Sequence, residues 1–141
     1  MGTGLIHICK KCNKENPIYY GVGMQDFPSH YTDDNFKNLI ELGKQEKLYN
    51  INKLLEFIKL NNVIIEDNYE HYAYICDNCH IIHNKFRYTL ISGNKVFYPK
   101  YKCDYCGKLL RKKKNNEDYK LKCKYCGSEE FQKQTLYMNW D

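Results

Sequence analysis

Apolar residues recur at helical spacing in one part of the chain, between residues 36 and 65. Phe36, Leu39 and Ile40 follow the cap-forming residues 32–34, and this first stretch ends at Gly43. A second stretch continues the same spacing as far as residues 61–62, with Leu48, Ile51, Leu54, Leu55, Phe57 and Ile58. The pattern predicts two amphipathic helices that form an insert at about residues 33–62.

Short runs of β-branched and aromatic residues on either side of the insert predict strands. These runs are residues 18–20, 63–65, 72–75 and 86–91, and residues 92–94 form a turn after the last of them. Near the end of the chain a hairpin is predicted, with its turn at residues 115–118 and its strands formed by Leu109, Leu110, Tyr119 and Leu121.

All eight cysteines fall in four Cys-x-x-Cys motifs, which we call hooks. Hook 1 is Cys9 and Cys12, hook 2 is Cys76 and Cys79, hook 3 is Cys103 and Cys106, and hook 4 is Cys123 and Cys126. A hook places two sulfurs on one side of a tight turn, and two hooks together make a tetrahedral thiolate site. The mean hydropathy is −0.74, which indicates a small core that metals must stabilise. We therefore predict two bound Zn²⁺ ions.

The residue after each hook supports this interpretation. In a metal-binding turn this residue commonly adopts a left-handed backbone conformation, which glycine reaches without strain and which Asn and His tolerate better than most residues. The four residues in question are Asn13, His80, Gly107 and Gly127. All four fit the requirement.

Two pairings of the hooks are open. In the preferred pairing, hooks 3 and 4 form a compact zinc ribbon at the end of the chain, and hooks 1 and 2 close a second site across the insert. In the alternative, hook 2 pairs with hook 3 and the outer hooks meet. We prefer the pairing of hooks 3 and 4 because the basic end of the chain would then form a self-contained zinc ribbon.

The expected fold class is therefore a small, metal-stabilised α+β protein with two zinc β-ribbons, the first of them split by a helical insertion. Residues 1–98 would form the split ribbon and residues 99–141 the basic one. The N-terminal residues lack the basic and apolar regions that are typical of a signal peptide, and no apolar run is long enough to span a membrane. We expect a cytoplasmic protein, in which eight cysteines are better explained as metal ligands than as disulfides.

The chain resembles a family of small, uncharacterised bacterial zinc-ribbon proteins. The matching features are the start MGTG with Cys-Lys-Lys-Cys shortly after it, the segment YGVGM at residues 20–24, a helical insert, the three later hooks and the ending Asn-Trp-Asp. The resemblance implies a cytosolic protein with structural zinc, and it implies no particular activity.

Positive charge is concentrated near the end of the chain. Residues 100–141 carry eleven Lys or Arg and six Asp or Glu, and so account for the whole net charge of +5. Such a surface can bind nucleic acid, with Tyr105, Tyr119 and Tyr125 available for stacking, or a protein partner, with the helical insert as a further docking surface. Lysine rather than arginine argues against base-specific contacts. The predicted binding residues are Lys108, Arg111, Lys112, Lys113, Lys114, Lys120 and Lys122.

We expect no catalytic activity, because no phosphate-binding loop or activated nucleophile is recognisable. His80 and His83 are not needed as ligands if each metal already has four cysteines. The acidic pair at residues 117–118 only faintly resembles the one on the ribbon tip of transcript-cleavage factors. The main alternative function is a rubredoxin-like electron carrier with iron at the site of hooks 3 and 4.

Overall fold

The structure, a computed structural model, describes residues 2–22, 28–32, 34–114, 120–132 and 136–140. The α-helices in these ranges are α1 Pro28–Thr32, α2 Lys37–Gln45 and α3 Ile51–Phe57, and a short 3-10 helix spans Asp34–Phe36. The strands are β1 Gly2–Ile8, β2 Glu15–Gly21, β3 Ile64–Ile65, β4 Glu70–Cys76, β5 Ile81–Arg87, β6 Leu90–Ser92, β7 Lys95–Phe97, β8 Arg111–Lys112 and β9 Leu136–Trp140.

Two antiparallel hairpins, β1–β2 and β4–β5, form the larger sheet, and each has a hook at its tip. The strand order is β5-β4-β2-β1-β9, with β8 also paired to β4. Strands β2 and β4 pair at a single position, between Gly21 and His71. Closer to hook 2, β4 pairs with β8 instead of β2, and Tyr74 lies opposite Lys112. Both hairpins therefore point their hooks toward the same end of the sheet.

The smaller sheet has the order β3-β6-β7. The single strand predicted at residues 86–91 is wrong, because β5 ends at Arg87 and β6 begins at Leu90. Tyr88 and Thr89 lie between them and are buried. The predicted turn after β6 is confirmed, and Gly93 has a positive φ of 60° there.

Two helices of the predicted insert are present as α2 and α3, preceded by the short helix α1, which no apolar pattern indicated. The predicted cap at residues 32–34 is wrong. Helix α2 begins after Phe36, which has a φ of 63° and caps the helix without a side-chain hydrogen bond. Asp34 and Asn35 also have positive φ values, of 51° and 55°. Residue 33 lies outside the described part of the chain.

The insert packs its apolar residues against β4, β5 and the smaller sheet. The hydroxyl of Tyr101 donates a hydrogen bond of 2.5 Å to the carbonyl of Phe86 at the centre of this core. Aromatic residues provide much of the buried surface, which is typical of a small core built from few aliphatic side chains. The buried cluster is Tyr31, Phe36, Leu39, Leu48, Leu54, Tyr74, Phe86, Tyr88, Leu90, Phe97 and Tyr101. A small α+β fold is thus confirmed.

The predicted C-terminal hairpin is not formed by the residues that the structure describes. Leu109 pairs with Lys102 across hook 3, and Leu121 lies in no strand. Tyr119 and the predicted turn at residues 115–118 lie outside the described ranges. Instead, β9 pairs with β1 over five positions, from Gly2 opposite Trp140 to Ile6 opposite Leu136.

Candidate metal centres and candidate nucleic-acid interface

The four hooks share one backbone geometry. In each, the residue after the second cysteine has a positive φ, and its N–H donates to the carbonyl of the first cysteine over 2.8–3.1 Å. The φ values are 61° for Asn13, 59° for His80, 75° for Gly107 and 76° for Gly127. The prediction from residue type is confirmed at all four positions.

The eight sulfurs gather in two clusters. One contains hooks 1 and 4, the other contains hooks 2 and 3, and within each cluster the sulfurs lie within 4.8 Å of one another. The Sγ atoms of Cys9 and Cys126 are 3.5 Å apart, and those of Cys76 and Cys106 are also 3.5 Å apart. A disulfide would require about 2.05 Å, whereas four sulfurs at about 2.3 Å from a tetrahedral Zn²⁺ lie roughly 3.8 Å from each other. The donor set and spacing fit a metal ion in each cluster.

The preferred pairing of the hooks is wrong, and the alternative is the one observed. Hook 3 reaches hook 2 because the chain before it runs along the insert, where the N–H of Tyr49 donates to the carbonyl of Lys100. Hook 4 reaches hook 1, where the N–H of Lys10 donates to the carbonyl of Glu130 over 3.0 Å. Both clusters therefore join a hook from residues 1–98 to a hook from residues 99–141. The zinc site predicted from hooks 3 and 4, for which iron was the alternative ion, is not formed.

Buried polar side chains contact one sulfur in each cluster. Asn16 is 6% exposed; its Nδ2 donates to Sγ of Cys123 over 3.5 Å, and its Oδ1 accepts from the N–H of Lys124. Although burial raises the pKa of the Cys123 thiol, the hydrogen bonds from Asn16 and the backbone lower it to about 6. A low thiol pKa favours the thiolate that binds metal.

In the other cluster the contact comes from His83. Its Nε2 lies 3.4 Å from Sγ of Cys103, and its Nδ1 lies 3.5 Å from a carboxylate oxygen of Asp104. Burial lowers the pKa of His83, with the Asp104 carboxylate opposing this effect. His83 therefore supports a ligand rather than acting as one. Its contacts, like those of Asn16, join distant parts of the chain, so no local sequence signal pointed to them.

A buried ion network links this cluster to the insert. Lys85 is 4% exposed, and its Nζ donates to the carbonyl of Glu46 over 2.8 Å and to Asp104 over 3.3 Å. The side chain of Glu46 accepts from the N–H of Phe86. Burial raises the pKa of Glu46 to about 7. The helices are thus held to the hook 2–hook 3 cluster by polar contacts as well as by the core.

Four cavities adjoin one another along the larger sheet, and each shares lining residues with the next. Their volumes are about 170, 560, 430 and 260 Å³ in order along the groove. Adjacent cavities share lining residues: Arg87 and Lys112 between the first and second, Lys113 between the second and third, and Ile18 and Leu121 among those between the third and fourth. We call this row of adjoining cavities the groove.

Cations predominate in the groove lining. Three carboxylates oppose them, from Glu70, Asp104 and Glu129. The seven cationic side chains are Arg87, Lys112, Lys113, Lys114, Lys120, Lys122 and Lys124. Five of the seven predicted binding residues are therefore brought together, and the fold adds Arg87 and Lys124.

The other two predicted binding residues face hook 2. Arg111 Nε forms a 2.8 Å ion pair with Asp77, and Lys108 Nζ lies 3.4 Å from Oδ1 of Asn78. Neither residue lines the groove. The position of Arg111 follows from strand alternation, because Arg111 and Lys112 are adjacent in β8 and point to opposite faces.

Aromatic residues also line the groove. Tyr20 and Tyr72 meet edge to face with ring centroids 5.7 Å apart, and each lines one of two adjoining cavities. Tyr105, one of the tyrosines expected to stack, lines the fourth cavity. Tyr125 instead contacts the ammonium groups of Lys14 and Lys124. The aromatic side chains of β2 and β4 carried no recognisable signal, because tyrosine is common throughout the chain.

In comparisons with protein-family models, with curated proteins and with solved structures, nothing matches this chain. The resemblance to bacterial zinc-ribbon proteins thus remains a prediction that rests on the hooks and the short terminal motifs. Within the described ranges no helix has the length and apolar character needed to cross a membrane.

Proposed function

We propose that this is a zinc-stabilised, non-catalytic protein that binds single-stranded nucleic acid in the groove. The observation that carries the proposal is the row of four adjoining cavities lined by seven cations and several aromatic rings. Proteins that bind single strands combine a positive channel for the backbone with aromatic faces on which bases stack. Lysines supply most of the charge, which suits phosphate contacts rather than base-specific hydrogen bonds.

Zinc is the ion that the cysteine clusters support best. Four thiolates complete a tetrahedral site and leave no open position for a substrate, as in structural zinc sites. An iron electron carrier would be expected to shield its metal with apolar side chains, whereas Tyr105 and Tyr125, inside hooks 3 and 4, are 57% and 53% exposed. The metals would then stabilise the fold rather than react, with an apparent free energy on the order of 10 kcal/mol per site.

The helical insert gives little support to the alternative of a protein adaptor. A docking helix presents apolar residues to its partner, but Leu39, Leu48 and Leu54 are buried in the protein's own core. The insert is also fixed through Lys85 and Glu46 to the hook 2–hook 3 cluster. Nucleic acid is therefore the partner that we propose.

A binding titration tests the proposal. The probes are fluorescently labelled single-stranded DNA and RNA of about 12 nucleotides, a length within the usual site sizes of single-strand-binding folds. The test variant carries Lys→Gln at 112, 113 and 114, and the matched control carries Lys→Gln at the exposed positions 44, 53 and 59 on and just after the helices.

The test variant should weaken binding strongly, and the slope of log K against log salt should fall by about 2 because each phosphate contact adds roughly 0.7 for single strands. The control variant should bind like wild type. If wild-type protein does not bind either probe at low salt, the nucleic-acid proposal is wrong and the adaptor function becomes the better candidate. Elemental analysis of the same preparation should find two zinc ions per chain and no iron.

A further inference from the structure

The third cavity of the groove differs in chemistry from the second cavity, which adjoins it. Charged side chains and one tyrosine line the second cavity, whereas apolar and aromatic side chains predominate in the third. The aliphatic lining of the third cavity comes from Leu5, Ile18, Ile82 and Leu121. Its volume of about 430 Å³ lies within the range of about 300–1,000 Å³ that is usual for ligand pockets.

The β1–β2 hairpin supplies one wall of this cavity. Leu5 of β1 lies opposite Ile18 of β2 in the ladder. His7 and Tyr20 each lie two residues further along the same strands, so strand alternation places all four side chains on one face of the hairpin. All four line the third cavity. The wall is therefore built by the regular register of two paired strands.

Three aromatic rings also line the cavity, from His7, Tyr20 and Phe131. The rings of His7 and Phe131 meet edge to face, with their centroids 5.9 Å apart. Phe131 is held beside hook 1, because its backbone forms an isolated bridge with Cys9. Tyr20 packs edge to face on Tyr72, which lines the second cavity. The sheet and hook 1 thus fix the positions of these rings.

The apolar surface of the cavity is only partly covered within the described part of the chain. Leu5, Leu121 and Phe131 are half-buried, and so are His7 and Tyr20. A ligand with an apolar surface would remove these side chains from water, which favours binding. The cavity therefore suits a ligand, or part of a ligand, that is apolar and compact.

Cationic groups adjoin this apolar surface. Lys113 lines both the second and the third cavity, and its N–H donates to the carbonyl of Ala73 over 2.9 Å, which holds the segment after β8 on β4. At the third cavity Lys120 forms a 2.8 Å ion pair with Glu129, so these two charges offset each other. The second cavity adds three further cations and one carboxylate. Net positive charge is thus concentrated on the side of the second cavity.

An apolar cavity beside a cationic one matches the chemistry of a nucleotide, in which a planar base is joined through a sugar to an anionic phosphate. A ligand that is apolar throughout would make no use of the cations, and a phosphate without a base would leave the apolar surface in water. We propose that the third cavity receives one base of the strand that binds in the groove, while the cations of the second cavity hold a neighbouring phosphate. Contacts between rings and bases add affinity with little regard to sequence. This site rests on the proposed function and gives the groove a place for a single base.

Strands with and without bases test the site with the full chain. The probes are labelled DNA backbones of about 12 nucleotides: one with thymine at every position, one abasic throughout, and one abasic except for a single central thymine. The all-thymine strand should bind wild-type protein at least about tenfold more tightly than the abasic strand, as expected for bases that contact rings. The single thymine should recover at least about threefold of this difference, because one cavity receives one base.

The abasic strand separates this site from the groove as a whole. If all three strands bind equally and the binding weakens with salt, the base site is wrong and the groove remains a phosphate channel. If the all-thymine strand binds more tightly but the single thymine recovers nothing, the bases contact the protein elsewhere and the base site is again wrong.

Two variants assign the effect to the third cavity. Phe131→Leu and His7→Leu each remove a ring and keep an apolar side chain there. Each should reduce the advantage of the single-thymine strand over the abasic strand to about twofold or less, while the abasic strand binds as it does to wild type. The control Tyr49→Leu removes an exposed ring outside the groove and should keep the advantage. Zinc content and melting temperature identify the folded variants, and a folded variant that keeps the full advantage would overturn the assignment.

Free thymidine identifies the source of the base. If thymidine competes at concentrations comparable with the all-thymine strand, the cavity serves a free nucleoside and the proposal of a strand base is wrong. If thymidine does not compete while the single-thymine strand keeps its advantage, the base is bound as part of a strand, as proposed. If no strand binds at low salt, the proposed function and the base site are both wrong.

Discussion

The side chain of Asn16 donates a hydrogen bond to Sγ of Cys123, a residue 107 positions later in the chain. The Oδ1 atom of Asn16 accepts a hydrogen bond from the N–H of Lys124. One buried amide therefore holds the tip of the first hairpin against hook 4. Such supporting contacts orient metal ligands and tune their affinity for the ion.

Replacing this residue should weaken one metal site and spare the other. Asn16→Ala removes the hydrogen bond to the sulfur and leaves the N–H of Lys124 without its partner. We expect an affinity loss of about 10–100-fold at the cluster of hooks 1 and 4. Titration with a chelator should then release one zinc well before the second. Asn38→Ala, which removes an exposed amide bonded to the carbonyl of His30, should release both as wild type does.

The observed pairing of the hooks can be checked by counting metals. The double variant Cys103→Ser with Cys123→Ser removes one ligand from each observed cluster, so both ions should be lost. Cys9→Ser with Cys123→Ser removes two ligands from one cluster, so one ion should remain. A preparation in which the first variant keeps one ion would instead support the pairing of hook 3 with hook 4.

The positions of the basic residues lead to a third prediction. Lys112 lines the groove, whereas Arg111 is paired with Asp77 on the opposite face of β8. Lys112→Gln should weaken the binding of single-stranded nucleic acid by about threefold or more, while Arg111→Gln, with the same change in charge, should leave it nearly unchanged. Anisotropy titrations at two salt concentrations make the comparison. Equal losses would mean that only the total charge matters and that the groove has no special role.

Glu46 should make stability depend on pH. Burial raises the pKa of its carboxyl from 4.5 to about 7 in the folded protein, so the folded state holds the proton more tightly than the unfolded state. This contribution is fully present below about pH 4.5 and is lost as the pH rises through 7. It amounts to at most about 3 kcal/mol.

The variant Glu46→Gln cannot lose a proton and keeps an acceptor for the N–H of Phe86. Its melting temperature should exceed that of wild type at pH 8, and the difference should shrink at pH 5. Glu41→Gln, at an exposed position of α2, the helix that Glu46 directly follows, serves as the control and should show no such trend. A wild-type advantage at pH 8 would mean that the ion network with Lys85 outweighs the burial of the charge.

Sequence reasoning was most accurate where the determining residues are close together in the chain. The backbone of each hook depends on about six consecutive residues, and Asn13, His80, Gly107 and Gly127 have the expected left-handed conformation. The two main helices of the insert were predicted because apolar periodicity is a local signal. Their bounds were less certain, since the left-handed residues 34–36 replaced the expected cap.

The chain by itself determined that eight cysteines form four hooks with metal-binding geometry, because these turns need only neighbouring residues. Which hooks meet was decided by the tertiary structure. Both pairings satisfy the same local chemistry, and the choice depends on long-range contacts such as β8 on β4 and Asn16 on Cys123. The groove arises in the same way, because Arg87 and Lys112 become neighbours only when distant strands pair.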